Sequence, residues 1–166
     1  MAELEERLER FSLELEKSKT KKITFGRFAK QMRAMKGEGR PETFNFLGFT
    51  FICGRAKFSS KFNLILRTER KRFAAKLRKL KDWLYENRAR SVAYIMARVN
   101  KALVGHYRYY GVSTNCRQLS VFRHRVVKTL YRVLNRRSQK RSYNWTAFNE
   151  RVKKRFPLAA PKIYAY

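Results

Sequence analysis

Between Asn87 and Asn149 the chain carries no acidic side chain, although Lys and Arg recur throughout that stretch. A helix or sheet on an ordinary solvated surface mixes Glu with Lys, which gives i,i+4 pairs and avoids self-repulsion. A segment with one sign of charge has to keep its cations on outer faces and its apolar residues inside, with an anion to neutralise the outside. The whole sequence points the same way. Of 166 residues, 41 are Lys or Arg and 12 are Asp or Glu, a net charge of +29. With 44% hydrophobic and 14% aromatic residues, a packed core is within reach and wholesale disorder is not expected. Nucleic acid is the leading expected partner, ahead of an anionic membrane.

The charge is uneven. Residues 1–16 hold six Glu against Arg7 and Arg10, a net of −4, which leaves +33 on the other 150 residues. In the acidic head Leu4, Leu8, Phe11 and Leu15 recur at helical spacing, which predicts an amphipathic helix. The longest apolar-rich run, Phe44–Cys53, is about half the ~20 residues that a membrane span needs. The acidic start does not resemble a signal peptide. Cys53 and Cys116 stand far apart with no C-x-x-C, so neither a zinc site nor a disulfide framework is implied. A cytoplasmic, ribonucleoprotein-associated setting is expected, with no membrane partner and no cofactor.

Residues 17–66 read as strands and loops. Strands are expected at Lys22–Phe25, Thr43–Ile52 and Phe62–Leu66, from their aromatic and β-branched content. Gly26–Pro41 reads as a basic loop with one helical turn, and Gly54–Lys61 as a hairpin connection. Beyond Thr68, taken as an N-cap, the period becomes helical. Phe73, Leu77, Leu80 and Leu84 mark the inner face of one helix. Ser91 caps a second, with Val92, Ile95, Val99, Leu103 and Tyr110 inward and Gly111 as its C-terminal glycine. A third spans about Leu119–Arg137, and a fourth carries Trp145, Phe148, Val152 and Phe156 and stops at Pro157. The fold class is therefore α+β: a small helix-plus-antiparallel-strand portion over 1–66, then a mainly helical domain of three to four helices over 67–166.

The candidate binding residues come from the outer helix faces. Arg98, Lys101 and Arg108 share one face of the second helix. Arg125, Lys128, Arg132 and Arg136 share one face of the third, opposite its apolar stripe, and Arg137, Lys140 and Arg141 continue into the following loop. Such faces can track phosphates along a backbone. Tyrosines sit among them: Tyr107, Tyr109 and Tyr110 around Arg108, and Tyr143 with Trp145 after Arg141. Aromatic and guanidinium planes stack on unpaired bases, which favours RNA over duplex DNA, with Tyr107 and Tyr143 as the stacking candidates. His106 continues an inward face and reads as a hydrogen-bonded structural histidine; His124 is isolated from any metal-ligand set. The acids outside the head are Glu38, Glu42, Glu69, Asp82, Glu86 and Glu150. Only Asp82 and Glu86 are spaced as a pair, on a helix surface beside Arg78 and Lys79. No metal or catalytic site is implied, and the residues read as a binder rather than a self-contained enzyme.

Five segments in order carry a resemblance. LELEKSKT (Leu13–Thr20), FNFLGFTF (Phe44–Phe51), VNKALVGHYRYYGVSTN (Val99–Asn115), LYRVLNRRSQKRSYNW (Leu130–Trp145) and FNERVKKRFPLAAPKI (Phe148–Ile163) closely resemble the C-terminal part of group II intron-encoded reverse transcriptases, or maturases. The resemblance implies that residues 1–66 are the end of a palm, with Lys19 and Thr20 matching its Lys-Thr element, and it adds Lys19 to the candidate RNA-binding residues. Glu16 and Lys17 replace the usual Asn-Pro. It implies that the helices after the FLGF strand form the thumb, the X or maturase-specific domain, which binds intron RNA. The family's catalytic Ala-Asp-Asp block has no counterpart in these residues, so polymerase activity is not expected to carry over.

Three functions are then expected in competition. The first is an RNA-binding maturase that holds a group II intron or derived RNA, assisting splicing or ribonucleoprotein assembly. The second is one chain of a split reverse transcriptase from a mobile element, completed in trans; a protein partner or self-association through Leu4, Leu8, Phe11, Leu15 and open strand edges is expected. The third is a structural subunit of a larger RNA–protein particle.

Overall fold

A computed structural model describes residues 2–56, 59–137 and 143–165, without the side chain of residue 2. It is an α+β structure in two compact units, 1–42 and 43–166. The boundary expected after residue 66 falls instead between Glu42 and Thr43, because the sheet makes its contacts with the helices that follow it.

In the first unit, α1 covers Ala2–Glu9. It stops before Phe11, and Ser12 turns the chain away at φ 56°. Helix α2 (Ala29–Met35) makes two turns where one was expected. The Lys22–Phe25 segment is irregular, with no strand beside it among the described residues to complete a ladder. Glu42 ties the unit together by ion pairs to Lys21 and, at 3.6 Å, to Arg33, whose guanidinium also reaches Glu38 at 3.2 Å.

The second unit opens with an antiparallel sheet in the order β1 (Phe44–Phe46), β2 (Phe49–Arg55), β3 (Phe62–Thr68). Thr43–Ile52, expected as one strand, is a hairpin. Leu47 and Gly48 both take positive φ (48° and 75°), the geometry of a two-residue turn between twisted strands. Thr68 ends β3 rather than capping a helix, so α3 (Arg70–Glu86) begins behind Glu69. Ser91 caps α4 (Val92–Tyr110) as expected, its hydroxyl accepting from the Tyr94 N–H at 3.3 Å. Helix α5 begins earlier than expected, at Cys116, and runs to Asn135 after a 3-10 turn over Ser113–Asn115. A short helical turn at Trp145–Ala147 passes into a π-helical segment, Phe148–Lys153.

The core lies among α3, α4 and α5. Phe73 meets Phe122 edge-on at 5.5 Å, while Arg136 donates to the Tyr85 hydroxyl at 3.3 Å further along the same two helices. Helices α3 and α5 therefore run in parallel and α4 returns between their ends. Leu84, Ile95, Val99, Leu103, Leu119 and Leu130 are fully enclosed, each contributing about 2 kcal/mol by burial. Asn115 joins sheet to helices. Its Oδ1 accepts from the Thr68 N–H at 3.0 Å, and its Nδ2 donates to Thr68 Oγ1 at 2.8 Å and to the Tyr110 carbonyl at 3.0 Å. The tail is strapped across α4 and α5. Asn100 holds the Pro157 carbonyl and the Ala159 N–H, each at 2.8 Å, and Arg123 donates to the carbonyls of Leu158 and Ala159. Gly111 has φ −78° and so is not a left-handed cap. A Cβ there would lie 2.3 Å from the Tyr107 carbonyl and 2.7 Å from that of Lys162, so glycine admits the tail.

Candidate nucleic-acid interface

Helix α5 presents Arg125, Lys128 and Arg132 on one exposed stripe because Phe122, Val126, Leu130 and Val133 hold the other side in the core. Packing beside α3 makes that stripe the wall of a groove. Leu77, Arg78 and Lys81 line it from α3, and Arg125, Lys128, Thr129 and Arg132 from α5, around a volume of ≈ 320 Å³. Five cations face a shallow floor of Leu77 and Thr129. The Arg125 guanidinium lies 5.5 Å from the Phe73 ring centre, and the Lys81 ammonium 5.9 Å from that of Tyr85, contacts that steady both head groups. No Asp or Glu lines the groove. Among the described residues, the ion pairs of the second unit reduce to Arg72 with Glu69 at 3.9 Å.

A second cationic surface lies on α4, where Arg98, Lys101 and Arg108 are all exposed and none lines the groove. Trp83 on α3 sits under Arg98, whose guanidinium is 5.9 Å from the ring centre. Trp83 is two residues past Lys81, a rotation of about 200°, so this surface and the groove occupy different sides of α3. Tyr94, half exposed, extends it with the Arg90 guanidinium 5.9 Å from its ring.

The remaining candidates divide. Arg136 is exposed and bonded to Tyr85, beyond the groove lining. Arg137 turns inward: its Nη2 donates to the Arg90 carbonyl at 2.8 Å, and burial lowers its pKa, so it links the end of α5 to the α3–α4 loop. Tyr107, expected at the surface, lies in the core. It is 1% exposed, its hydroxyl donates to the Ala159 carbonyl at 3.3 Å, and burial pushes its pKa up to about 12. A ring in the core cannot stack on a base. Tyr143 is half-buried against the core, its N–H donating to Asn135 Oδ1 at 2.7 Å and its carbonyl accepting from Tyr131. Trp145 has one face covered by Tyr131, with ring centres 3.9 Å apart. Lys19 belongs to the first unit, on an exposed turn where its N–H donates to the Glu16 carbonyl at 3.1 Å. Lys140 and Arg141 lie outside the described residues.

Arg78 and Lys81 were absent from the candidates, and only the pairing of α3 with α5 brings them in. Arg70, Lys71, Arg72, Lys76, Arg78, Lys79 and Lys81 crowd α3 with cations, but nothing in the helical period tells which neighbour they face. The fold also joins two segments far apart in the chain. The hairpin tip seats on the end of α4, with the Tyr109 hydroxyl donating to the Leu47 carbonyl at 2.9 Å. A Cβ on Gly48 would approach the Tyr110 hydroxyl to 2.8 Å.

His106 is buried as expected but without hydrogen bonds. It stacks on Phe122 with ring centres 3.8 Å apart, neither ring nitrogen has a partner among the described residues, and burial, with a smaller push from Lys76, lowers its pKa to about 4. Among the described residues no group of three His, Cys, Asp or Glu side chains is placed to hold a metal ion, and no helix is long and apolar enough to cross a membrane. No family model, curated protein or solved structure matches the chain.

Proposed function

We propose that the chain is an RNA-binding protein that holds structured RNA by its phosphates, in the manner of a maturase thumb. It acts as a binder, without a polymerase centre of its own. The observation that carries this reading is the α3–α5 groove, where five cations converge with no carboxylate between them. Cations in that state repel one another, and phosphates relieve the repulsion while releasing their own counterions. The resemblance of the five segments to group II intron maturases supports an intron or an intron-derived RNA as the ligand. Its role is then to neutralise phosphates that approach one another in a compact RNA fold, assisting splicing or particle assembly.

The test is the salt dependence of binding to a labelled hairpin RNA. Full occupancy of the groove gives log K against log[salt] a slope of about −0.9 per duplex phosphate neutralised. Wild-type binding with a slope near −4 or steeper is expected. Binding that is flat in salt would remove the groove from the function.

One observation favours the split-enzyme reading beside it. In the first unit Leu4, Phe11 and Leu13 are exposed at 45%, 71% and 55%, an apolar surface that a partner chain would cover. Co-expression with a neighbouring reading frame ending in an Ala-Asp-Asp block tests it: a stable complex with primer-extension activity supports a two-chain polymerase, and separate elution rejects it.

A further inference from the structure

Gly105 stands deep inside α4, with helix on both sides of it, and its surface is exposed. Its φ lies outside the left-handed range, and a Cβ built on it meets nothing within 4 Å. No turn, bulge or neighbouring chain segment therefore requires glycine there. Alanine would give the stronger helix, since glycine loses more backbone entropy on folding. The surroundings show what a bare backbone is suited to. Lys101 lies about 6 Å before Gly105 along the helix axis and Arg108 about 5 Å after it, on the same face. Both are exposed, and neither makes an ion pair among the described residues. Arg98 and Tyr109, seven residues before and four after, complete the exposed face. No acidic residue occurs anywhere on α4. A gap one side chain deep is thus flanked by two uncompensated cations.

We propose that Gly105 is a close-contact point for an RNA sugar–phosphate backbone, which rests on bare α4 backbone while Lys101 and Arg108 take the phosphates on either side. This rests on the RNA-binding reading above and adds to it a second contact surface, away from the α3–α5 groove. Glycine serves here as in other places where a ligand approaches main chain closely. An acidic protein segment is the competing occupant. The run of same-sign charge and the exposed aromatics Tyr94 and Tyr109 favour nucleic acid over it.

The experiment uses the full chain, a fluorescein-labelled hairpin RNA and poly-glutamate as a competitor, with Gly105→Ala, Gly105→Gln and, as an exposed helical control on α3, Ala75→Gln. Thermal unfolding is expected to give Gly105→Ala a Tm a few degrees above wild type. A lower Tm would show that the fold itself needs the glycine and would overturn the proposal. In anisotropy titrations Gly105→Ala is expected to weaken hairpin binding about threefold, and Gly105→Gln tenfold or more, with Ala75→Gln unchanged. Equal binding by wild type and Gly105→Gln would overturn the contact at Gly105 while leaving RNA binding in place. Wild type that does not bind the hairpin would overturn both readings. Displacement of the hairpin by stoichiometric poly-glutamate would replace RNA with an acidic protein as occupant.

Discussion

His106 occupies a place in the core that a hydrocarbon would fill at lower cost. Its ring is enclosed by Phe122, Tyr110 and Tyr107, and both nitrogens lack partners among the described residues. The unfolded chain protonates this imidazole below its ordinary pKa of 6.5, whereas the folded chain resists until about 4. The stability it allows is therefore complete above pH 6.5 and falls away as the pH drops toward 4. At about 1.4 kcal/mol per unit, His106 should account for about 2 kcal/mol lost between pH 7 and pH 5. Urea unfolding of His106→Phe at the two values should show that difference removed; an unchanged pH dependence would show that His106 does not control it. Asn115 is the converse case, a buried polar residue whose amide is bonded on both ends. Asn115→Ala leaves the Thr68 N–H buried without its partner, and a loss of about 2–4 kcal/mol is expected in the same assay. A loss below about 0.5 kcal/mol would mean that the sheet is held to the helices by packing alone.

At the scale of elements, the proposed RNA site is made by a pair of parallel helices rather than by either helix. Arg125→Ala with Arg132→Ala removes two of the five groove cations. RNA binding should weaken across all sequences, and the salt slope should become shallower by about 2. A slope equal to wild type would place the RNA elsewhere. Helix faces were legible in the sequence because burial follows a 3.6-residue period: Phe122, Val126 and Leu130 predicted both the core side of α5 and the exposed position of Arg125, Lys128 and Arg132. The same period placed Tyr107, four residues after Leu103 and eight after Val99, on the buried face, a signal outweighed by the neighbouring arginine. Other features were not legible. The break at Leu47–Gly48 sits inside the apolar-rich run Phe44–Cys53, and leucine rarely adopts the positive φ that the turn requires. Gly111 looked like a helix cap, but a Cβ there would meet the Tyr107 carbonyl of its own helix and the Lys162 carbonyl in the tail fifty residues away. The share of α3 in the groove depends on which helices pack together, and local periodicity does not encode that.

Across the whole molecule, charge and packing are kept apart. The second unit buries its apolar residues among three helices and keeps its cations outside them, some of them gathered in the α3–α5 groove and on the α4 face, with hardly a carboxylate to offset them. At physiological ionic strength charges more than about 8 Å apart are screened, so on the proposed reading the groove acts locally, where phosphates can enter it. Two separate surfaces allow one chain to touch two segments of a folded RNA, which is what a protein that stabilises a compact RNA needs. The most direct measurement is sequencing of the RNA that stays with the chain through purification and washing at physiological salt, where phosphate contacts persist. A maturase-like binder predicts one dominant structured RNA. A mixture that follows cellular abundance, or no RNA, would contradict it and leave +29 of charge with only weak, general attraction.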